Sequence, residues 1–131
     1  MKPVYQTIFG GDKGVRGNCF AACIASILEL LLESVPNFCA KANWREDVDI
    51  WLADRNLFYL DCKLPGDLRD ELSRFWGYHI ISGDGPRGFR HSVVGYAGKM
   101  VFDPHPDNTG LTDIDPEYGF LITKEFKCQT P

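Results

Sequence analysis

The periodicity of the apolar residues changes near residue 78, and this change constrains the fold more than any other feature of the sequence. Between residues 18 and 77 apolar side chains recur at helical spacing in three stretches, with one strand-like stretch among them. From residue 78 onward, short strand-like stretches are separated by clusters of Gly, Pro, Asp and Asn, which is typical of strands joined by tight turns. Helices followed by strands predict the α+β class, with an antiparallel sheet packed against the first helix.

The boundaries of the individual segments follow from their capping and breaking residues. An extended segment is predicted for 3–9, followed by a flexible glycine-rich loop. The first helix is predicted to start after Asn18 as its N-cap, to have apolar residues at 20, 24, 27, 28 and 31, and to end before Pro36. Two further helices are predicted at 44–55 and 65–77, and strands at 57–62, 78–82, 89–96, 99–104 and 118–123.

Length and charge limit the classes of protein that the chain can belong to. With 131 residues, no internal repeat and no linker-like tract, residues 1–131 are predicted to form a single domain. The formal net charge of −4 gives no basic footprint for nucleic acid or for an anionic membrane. No apolar run has the length of a membrane span or of a signal peptide. A cytoplasmic location, with no nucleic-acid or membrane partner, is therefore expected.

The five cysteines do not form a disulfide or metal pattern. Their number is odd, no two of them form a CxxC pair, and no export signal accompanies them, so reduced thiols are expected. The only closely spaced pair, Cys19 and Cys23, lies one helical turn apart, with the histidines far downstream. We therefore expect neither a metal ion nor an organic cofactor.

Cys19 is the cysteine whose position suggests chemistry. It is predicted to be almost the first residue of its helix, where unpaired backbone N–H groups and the helix dipole stabilise a negatively charged sulfur. For a cysteine taken blindly, the commoner role is that of a small, half-buried apolar residue. We assign that packing role to Cys23, and Cys39, Cys62 and Cys128 give no stronger indication.

A nucleophilic cysteine needs an imidazole and a group that orients it, and the stretch "RHSVVGYAGKMVFDP" contains both. If the hairpin turns through three residues, 96–98, His91 pairs directly with Asp103, and the two side chains share a face. A two-residue loop instead pairs His91 with Pro104 and sends Asp103 to the other face. Without catalysis, His91 is simply an exposed strand-end residue and Asp103 starts a turn, which is the commoner outcome for such residues taken alone.

Gln6 is the candidate for a second oxyanion donor. Attack on a carbonyl needs hydrogen-bond donors for the developing negative charge, and the backbone N–H of Cys19 can supply one of them. Gln6 lies upstream on the extended segment, and the glycine-rich loop allows its amide to return beside Cys19. A solvent-facing side chain is the alternative for this glutamine.

The order of these residues resembles the papain-like cysteine peptidases, and most of all the compact double-glycine-leader peptidase domains. The pattern of that group is matched by Gln6, by Cys19 with Ala21 and Ala22 behind it, by "HSVV" at 91–94, and by Asp103-Pro104. The chain is also similar to small uncharacterised papain-like proteins encoded by phages, through "NCFAACIASIL", "VPNF" and "HSVVGYAGKMVFDPHP". The resemblance covers the first forty residues and about residues 80–122. It departs from the peptidases at Phe20, where they often have glycine, and a phenylalanine there narrows the groove.

The resemblance implies a papain-like cysteine hydrolase (a peptidase, isopeptidase or amidase) encoded by a phage or bacterium, acting in the cytoplasm on a peptide or protein, including a host protein. Cys19 is then the nucleophile, His91 the base, Asp103 its orienting acid and Gln6 the oxyanion donor. Two alternatives remain: an acyltransferase of the same fold, and a non-catalytic papain-like protein that sequesters a host factor or a small ligand. The loop "GDGPRG" is predicted to form a wall or lid of the cleft, with His105 at its border and His79 in a strand.

Overall fold

The computed structural model describes residues 1–11 and 14–124 as an α+β fold with a five-stranded antiparallel sheet. Cys128 lies outside the described residues. The α-helices are α1 (Cys19–Leu28), α2 (Trp44–Ala53) and α3 (Gly66–Glu71). The strands are β1 (Leu57–Lys63), β2 (Tyr78–Asp84), β3 (Arg90–Tyr96), β4 (Lys99–Phe102) and β5 (Glu117–Thr123). Short 3₁₀ turns cover Leu32–Ser34, Phe38–Ala40 and Leu72–Arg74.

The order of the strands in the sheet is β1-β5-β2-β3-β4, so the last described strand in chain order lies inside the sheet, between β1 and β2. β5 pairs with β1 from Leu57 opposite Thr123 to Lys63 opposite Glu117, and it pairs with β2 on its other side. The predicted strand at 57–62 therefore joins the same sheet as the later strands, as its edge strand. The sheet is thus not built from the C-terminal half of the chain alone.

Helix α1 packs on one face of the sheet because its contact side is made of small residues. Ala21, Ala22 and Ala25 have almost no exposed surface, and Cys23 is fully buried between them. Small side chains let the helix backbone approach the strands closely, and the main core forms between α1 and side chains such as Ile80 and Val94 of β2 and β3. The helix start, with Cys19, is thereby fixed against the sheet.

The first helix ends earlier than its apolar spacing predicts. Its last residue is Leu28, and Glu29 follows in the left-handed conformation with φ 57°. The N–H of Leu30 then bonds the carbonyl of Ala25, which is a helix-ending arrangement. The prediction that Leu31 belongs to the apolar face was wrong, since its side chain is 74% exposed. The helix stops before Pro36 can end it.

A second, smaller core lies on the opposite face of the sheet. It contains four buried side chains, contributed by β2, β3, β5 and the 3₁₀ turn after α3: Leu72, Ile81, Val93 and Tyr118. α3 and its 3₁₀ turn divide the predicted 65–77 helix into two short pieces. Among the described residues, no helix has the length and apolar character needed to cross a membrane.

Candidate active site

Cys19 is the first residue of α1. Asn18 before it occupies the N-cap position through its backbone, because its carbonyl accepts the N–H of Ala22 at 3.0 Å. The predicted side-chain cap is absent. The Asn18 Oδ1 instead accepts the backbone N–H groups of Thr7 and Ile8, at 3.0 and 2.9 Å. Asn18 therefore uses its side chain to hold the N-terminal segment beside the start of α1 and Cys19.

Gly17 explains why a glycine precedes Asn18. A Cβ atom at this position would lie 3.0 Å from the carbonyl oxygen of Ile8 and 3.1 Å from the backbone nitrogen of Gly10. Both neighbours are backbone atoms, so they cannot move aside as a flexible side chain can. A side chain at residue 17 would thus push the 6–10 segment away from the start of α1.

The hairpin between β3 and β4 has the shorter of the two loops considered. The loop has two residues, Ala97 and Gly98, both with positive φ (53° and 81°), between paired Tyr96 and Lys99. This is the type I′ geometry of tight hairpins, and not the three-residue loop that would pair His91 directly with Asp103. The pairing then shifts at a β-bulge: Gly95 faces Met100, but Val94 faces Phe102.

A β-bulge in β4 changes the register before the chain reaches Asp103. The extra residue, Val101, shifts the chain by one position relative to β3, and the recorded pairing ends at Val94 and Phe102. Asp103 follows directly after the last paired residue of β4 and contacts His91 from there. The contact between His91 and Asp103 is therefore present, although the hairpin has the two-residue loop.

His91 and Asp103 form a short, buried hydrogen bond. The His91 Nε2 lies 2.7 Å from the Asp103 Oδ1, and their side chains are 5% and 0% exposed. Asp103 also accepts two backbone N–H groups, from His105 at 2.9 Å on Oδ1 and from Gly110 at 2.8 Å on Oδ2. Three donors thus fix the carboxylate, and the carboxylate fixes the imidazole.

These contacts favour the charged forms of both residues. For His91, burial lowers the pKa, but the hydrogen bonds that the ring donates to Asp103 and Cys19 outweigh it and raise the pKa to about 9. For Asp103, burial raises the pKa, and the hydrogen bonds from His91, His105 and Gly110 bring it below its ordinary value. The site therefore favours an imidazolium held between a carboxylate and a sulfur.

Cys19 lies close enough to His91 to affect its pKa. A hydrogen bond and a charge interaction with the Cys19 sulfur both contribute to the raised pKa of His91. Because Asp103 holds Nε2, the ring nitrogen left for the sulfur is Nδ1. Sulfur, imidazole and carboxylate are therefore neighbours, which is the combination that can activate a thiol nucleophile.

Gln6 is buried beside the helix start rather than facing solvent. Its Nε2 donates to the carbonyl of Ile8 at 3.0 Å, which leaves the second N–H of the amide free for a ligand. Its backbone N–H bonds the carbonyl of Pro104 at 3.0 Å, so the position of Gln6 is tied to the segment that carries Asp103. Gln6 and Cys19 line the same cavity.

That cavity is a cleft of about 1100 Å³ into which Cys19 and His91 also open. Its floor is polar: the hydroxyl groups of Ser82 and Ser92, on paired strands, are 2.7 Å apart.

Next to these serines a hydrogen bond joins the carboxyl groups of Asp61 and Glu117. For Glu117, burial and this bond raise the pKa. For Asp61, burial has the same effect, but the bonds to Glu117 and Arg45 outweigh it and lower the pKa. The floor can therefore bind polar groups of a ligand.

An aromatic cluster forms one wall of the cleft. The Phe20 ring makes edge-to-face contacts with Trp44 and Tyr59, at centroid distances of 5.9 and 5.5 Å. Phe20 is only 5% exposed, so most of its bulk lies in the core and not in the groove. The phenylalanine that departs from the peptidase pattern is thus compatible with an open cleft next to Cys19.

The other cysteines and histidines take different places. Cys23 lies buried in the core, as predicted, and burial raises its pKa. Cys39 also lines the cleft, where burial and the nearby Cys19 raise its pKa to about 11. His79 is buried in β2, and burial lowers its pKa despite a hydrogen bond to the Gly77 carbonyl. His105 borders the cleft with its ring 6.3 Å from that of His91.

Two residues that shape the cleft were not predicted. Lys41 and Trp44 belong to the middle segment, which has no motif, yet they line the cleft. The loop "GDGPRG" at 83–88 was predicted to form a wall or lid of the cleft, and its residues 87 and 88 line it together with residue 89. No cluster of three or more potential metal ligands occurs among residues 1–11 and 14–124.

Comparison of the chain with models of known protein families, with curated proteins and with solved structures finds no match.

Proposed function

We propose that this protein is a papain-like cysteine hydrolase that cleaves an amide bond, as a peptidase, isopeptidase or amidase. The observation that carries the proposal is the buried hydrogen bond between His91 and Asp103 beside Cys19, with Cys19 and His91 lining one cleft of about 1100 Å³. A buried carboxylate that accepts three hydrogen bonds is held in one position, and it is therefore suited to orienting a catalytic imidazole.

In the proposed reaction the imidazolium of His91 stabilises the Cys19 thiolate, which attacks the carbonyl carbon and forms a C–S bond. The negative charge moves to the carbonyl oxygen, where the backbone N–H of Cys19 and the free N–H of Gln6 donate to it. The backbone N–H is available because the first N–H groups of a helix have no intrahelical acceptor. When the intermediate collapses, the C–N bond breaks and His91 gives its proton to the leaving nitrogen.

The thioester is then hydrolysed, and in this step His91 acts as a base toward water. Neutral His91 removes a proton from a water molecule, and the hydroxide attacks the acyl carbon. The C–S bond breaks, the acid product leaves, and Cys19 returns as a thiolate beside the imidazolium. Asp103 keeps Nε2 occupied throughout, so the nitrogen facing the sulfur always carries out the proton transfer. An acyltransferase would use the same acyl-enzyme with an amine or alcohol in place of water.

Site-resolved alkylation tests the proposal without a known substrate. We expect iodoacetamide to modify Cys19 rapidly at pH 6–7, below the range around pH 8.5 in which ordinary thiols ionise. The same reagent should modify Cys62 slowly, since no imidazole contacts it, and this provides an internal control. Replacing His91 by alanine should reduce the Cys19 rate to that of Cys62 at the same pH.

Two outcomes decide between the candidate functions. Equal rates for Cys19 and Cys62, unchanged in His91→Ala, would leave only the non-catalytic binding protein. Fast alkylation that depends on His91, together with cleavage in a peptide library that is lost in Cys19→Ala, would establish the hydrolase. Transfer of the acyl group to added amines in preference to water would assign the acyltransferase instead.

A further inference from the structure

The charge on the lining of the cleft is opposite in sign to the charge of the chain. The chain carries a formal −4, yet among residues 1–11 and 14–124 the lining has five basic side chains and two acidic ones. The basic ones are Arg16, Lys41, Lys63, Arg87 and Arg90, and the acidic ones are Asp61 and Glu117. A concentration of positive charge in the groove of an acidic protein points to a negatively charged ligand.

The two carboxyl groups in the cleft are already occupied by the protein. Asp61 lies 3.2 Å from Arg45 and shares a hydrogen bond with Glu117. Glu117 in turn has Arg90 at 3.8 Å. Lys63 is also used, since its Nζ lies 3.7 Å from Asp115. These groups neutralise one another. The two carboxylates are therefore not free to bind a cationic ligand, and the paired Arg90 and Lys63 attract an anionic ligand only weakly.

Three of the cations have no such partner. Arg16 and Lys41 are exposed and form no ion pair with any residue in the described ranges 1–11 and 14–124. Arg87 bonds only a neutral group, the hydroxyl of Thr109, at 3.0 Å. These three side chains, Arg16, Lys41 and Arg87, are called here the free cations of the cleft.

The free cations lie on two sides of the proposed nucleophile. Arg16 comes three residues before Cys19, and its carbonyl accepts a hydrogen bond from Asn37, so its segment adjoins the one that carries Lys41. Arg87 belongs to the loop between β2 and β3, just before His91. Anionic groups bound by these side chains would therefore lie on both sides of the bond under attack.

We propose that the substrate is an acidic peptide segment whose carboxylates are bound by Arg16, Lys41 and Arg87. This inference rests on the proposed function, since it takes the cleft around Cys19 as the substrate site. A peptide fits better than a nucleic acid because the proposed reaction needs an amide bond, which a nucleic-acid backbone lacks, and because the hydroxyl groups of Ser82 and Ser92 on the cleft floor can bond peptide groups.

Binding to an inactive variant tests the inference independently of catalysis. The Cys19→Ala protein is titrated with three equally labelled peptides of one length, in which the same four positions are Glu, Gln or Lys, and with a single-stranded oligonucleotide of the same charge as the Glu peptide. We expect the Glu peptide to bind about tenfold more tightly than the Gln peptide at low salt, and the difference to shrink as salt screens the charges. The Lys peptide should bind most weakly.

A matched pair of triple variants separates the cleft from general charge. Replacing Arg16, Lys41 and Arg87 by Gln should weaken binding of the Glu peptide roughly tenfold or more, at about two- to fivefold for each cation. Replacing three exposed cations outside the cleft lining (Lys2, Arg74 and Lys99) by Gln changes the net charge by the same amount and should have little effect.

Alkylation provides a second readout at the nucleophile itself. Iodoacetate is anionic and iodoacetamide is neutral, so the ratio of their rates reports the local potential. We expect this ratio to be several-fold higher at Cys19 than at Cys62, and to fall at Cys19 in the cleft triple variant but not in the control triple variant.

Each outcome bears on only one of the two proposals. Equal binding of the three peptides, an equal loss of binding in both triple variants, or tighter binding of the oligonucleotide would overturn the acidic-peptide inference. The hydrolase would still stand if Cys19 alkylation depended on His91. Conversely, selective binding of the Glu peptide without any activation of Cys19 would refute the hydrolase and leave an acidic-peptide binding protein.

Discussion

Replacing Asp103 by asparagine is the change that tests most directly how the site holds its charges. The substitution keeps the shape of the side chain but removes its negative charge. It also halves the number of acceptor oxygens, while three N–H groups, from His91, His105 and Gly110, still point at the residue. With its oxygen toward His91 and His105, the new amide must direct its NH₂ group at the N–H of Gly110.

The size of both effects can be worked out from these contacts. The pKa of His91 rises from 6.5 to about 9, and at 1.36 kcal/mol for each pH unit the environment favours the imidazolium by about 3 kcal/mol. Exchanging a charged acceptor for a neutral one removes roughly 1–2 kcal/mol of that preference, so the pKa of His91 should fall by about one unit. The donor left facing the NH₂ group should cost the folded state a further ~1–3 kcal/mol.

Nuclear magnetic resonance of ¹³C,¹⁵N-histidine-labelled protein between pH 5 and 10 measures the first effect, and urea unfolding at pH 7 measures the second. His79 provides an internal comparison, because burial keeps its pKa below the ordinary value despite its backbone hydrogen bond. Asp107→Asn is the matched control. That carboxylate is exposed and lies near His105 rather than His91.

The reasoning is refuted if His91 titrates near 6.5 in the unmodified protein, or if Asp103→Asn and Asp107→Asn shift its pKa equally. Unchanged stability in Asp103→Asn would show that the three hydrogen bonds on Asp103 are not formed together.

Three further predictions follow from the packing and the hairpin. A methyl group on Gly119 would overlap the buried hydroxyl of Tyr59, so Gly119→Ala should lower the free energy of unfolding by about 2 kcal/mol or more in urea titrations, whereas Gly66→Ala, in open space, should not. Deleting Val101 removes the bulge, but the residues after it keep their positions relative to β3, with Phe102 still opposite Val94. The pKa of His91 should therefore stay raised. A His91 pKa of 6.5 in this variant would contradict the register. Because the folded-state pKa of Asp103 is below 3.8, its contribution to stability is present above pH 3.8 and is lost as pH falls through the folded value, and Asp103→Asn should flatten that part of the acid-unfolding curve.

The parts of the fold that depend on local pattern were predictable from the sequence. The α+β class, the start of α1 at Cys19, the helix at 44–53 and the strands all follow from apolar spacing and from turn residues, which act over a few neighbouring positions. The predicted end of α1 was wrong because Glu29 ends the helix in the left-handed conformation, which glycine usually adopts at this position.

The features that depend on distant pairing were not predictable. The bulge opposite Val94 leaves no trace in the periodicity of β4, and the contact between His91 and Asp103 was expected through a different register. The side chain of Asn18 was expected to cap its own helix, but it bonds residues 7 and 8, which only the folded chain brings near. The catalytic roles of Cys19, His91, Asp103 and Gln6 remain predictions that the proposed experiments address.

β5 is an interior strand of the sheet, between β1 and β2, and among the described strands it comes last in the chain. β1 has no other neighbour in the sheet, so the Asp61 side of the cleft joins the His91 side through the sheet only when β5 is in place. Contacts between such distant residues form slowly compared with local ones. We therefore expect the groove that the proposed function requires to be completed late in folding, when β5 inserts between β1 and β2.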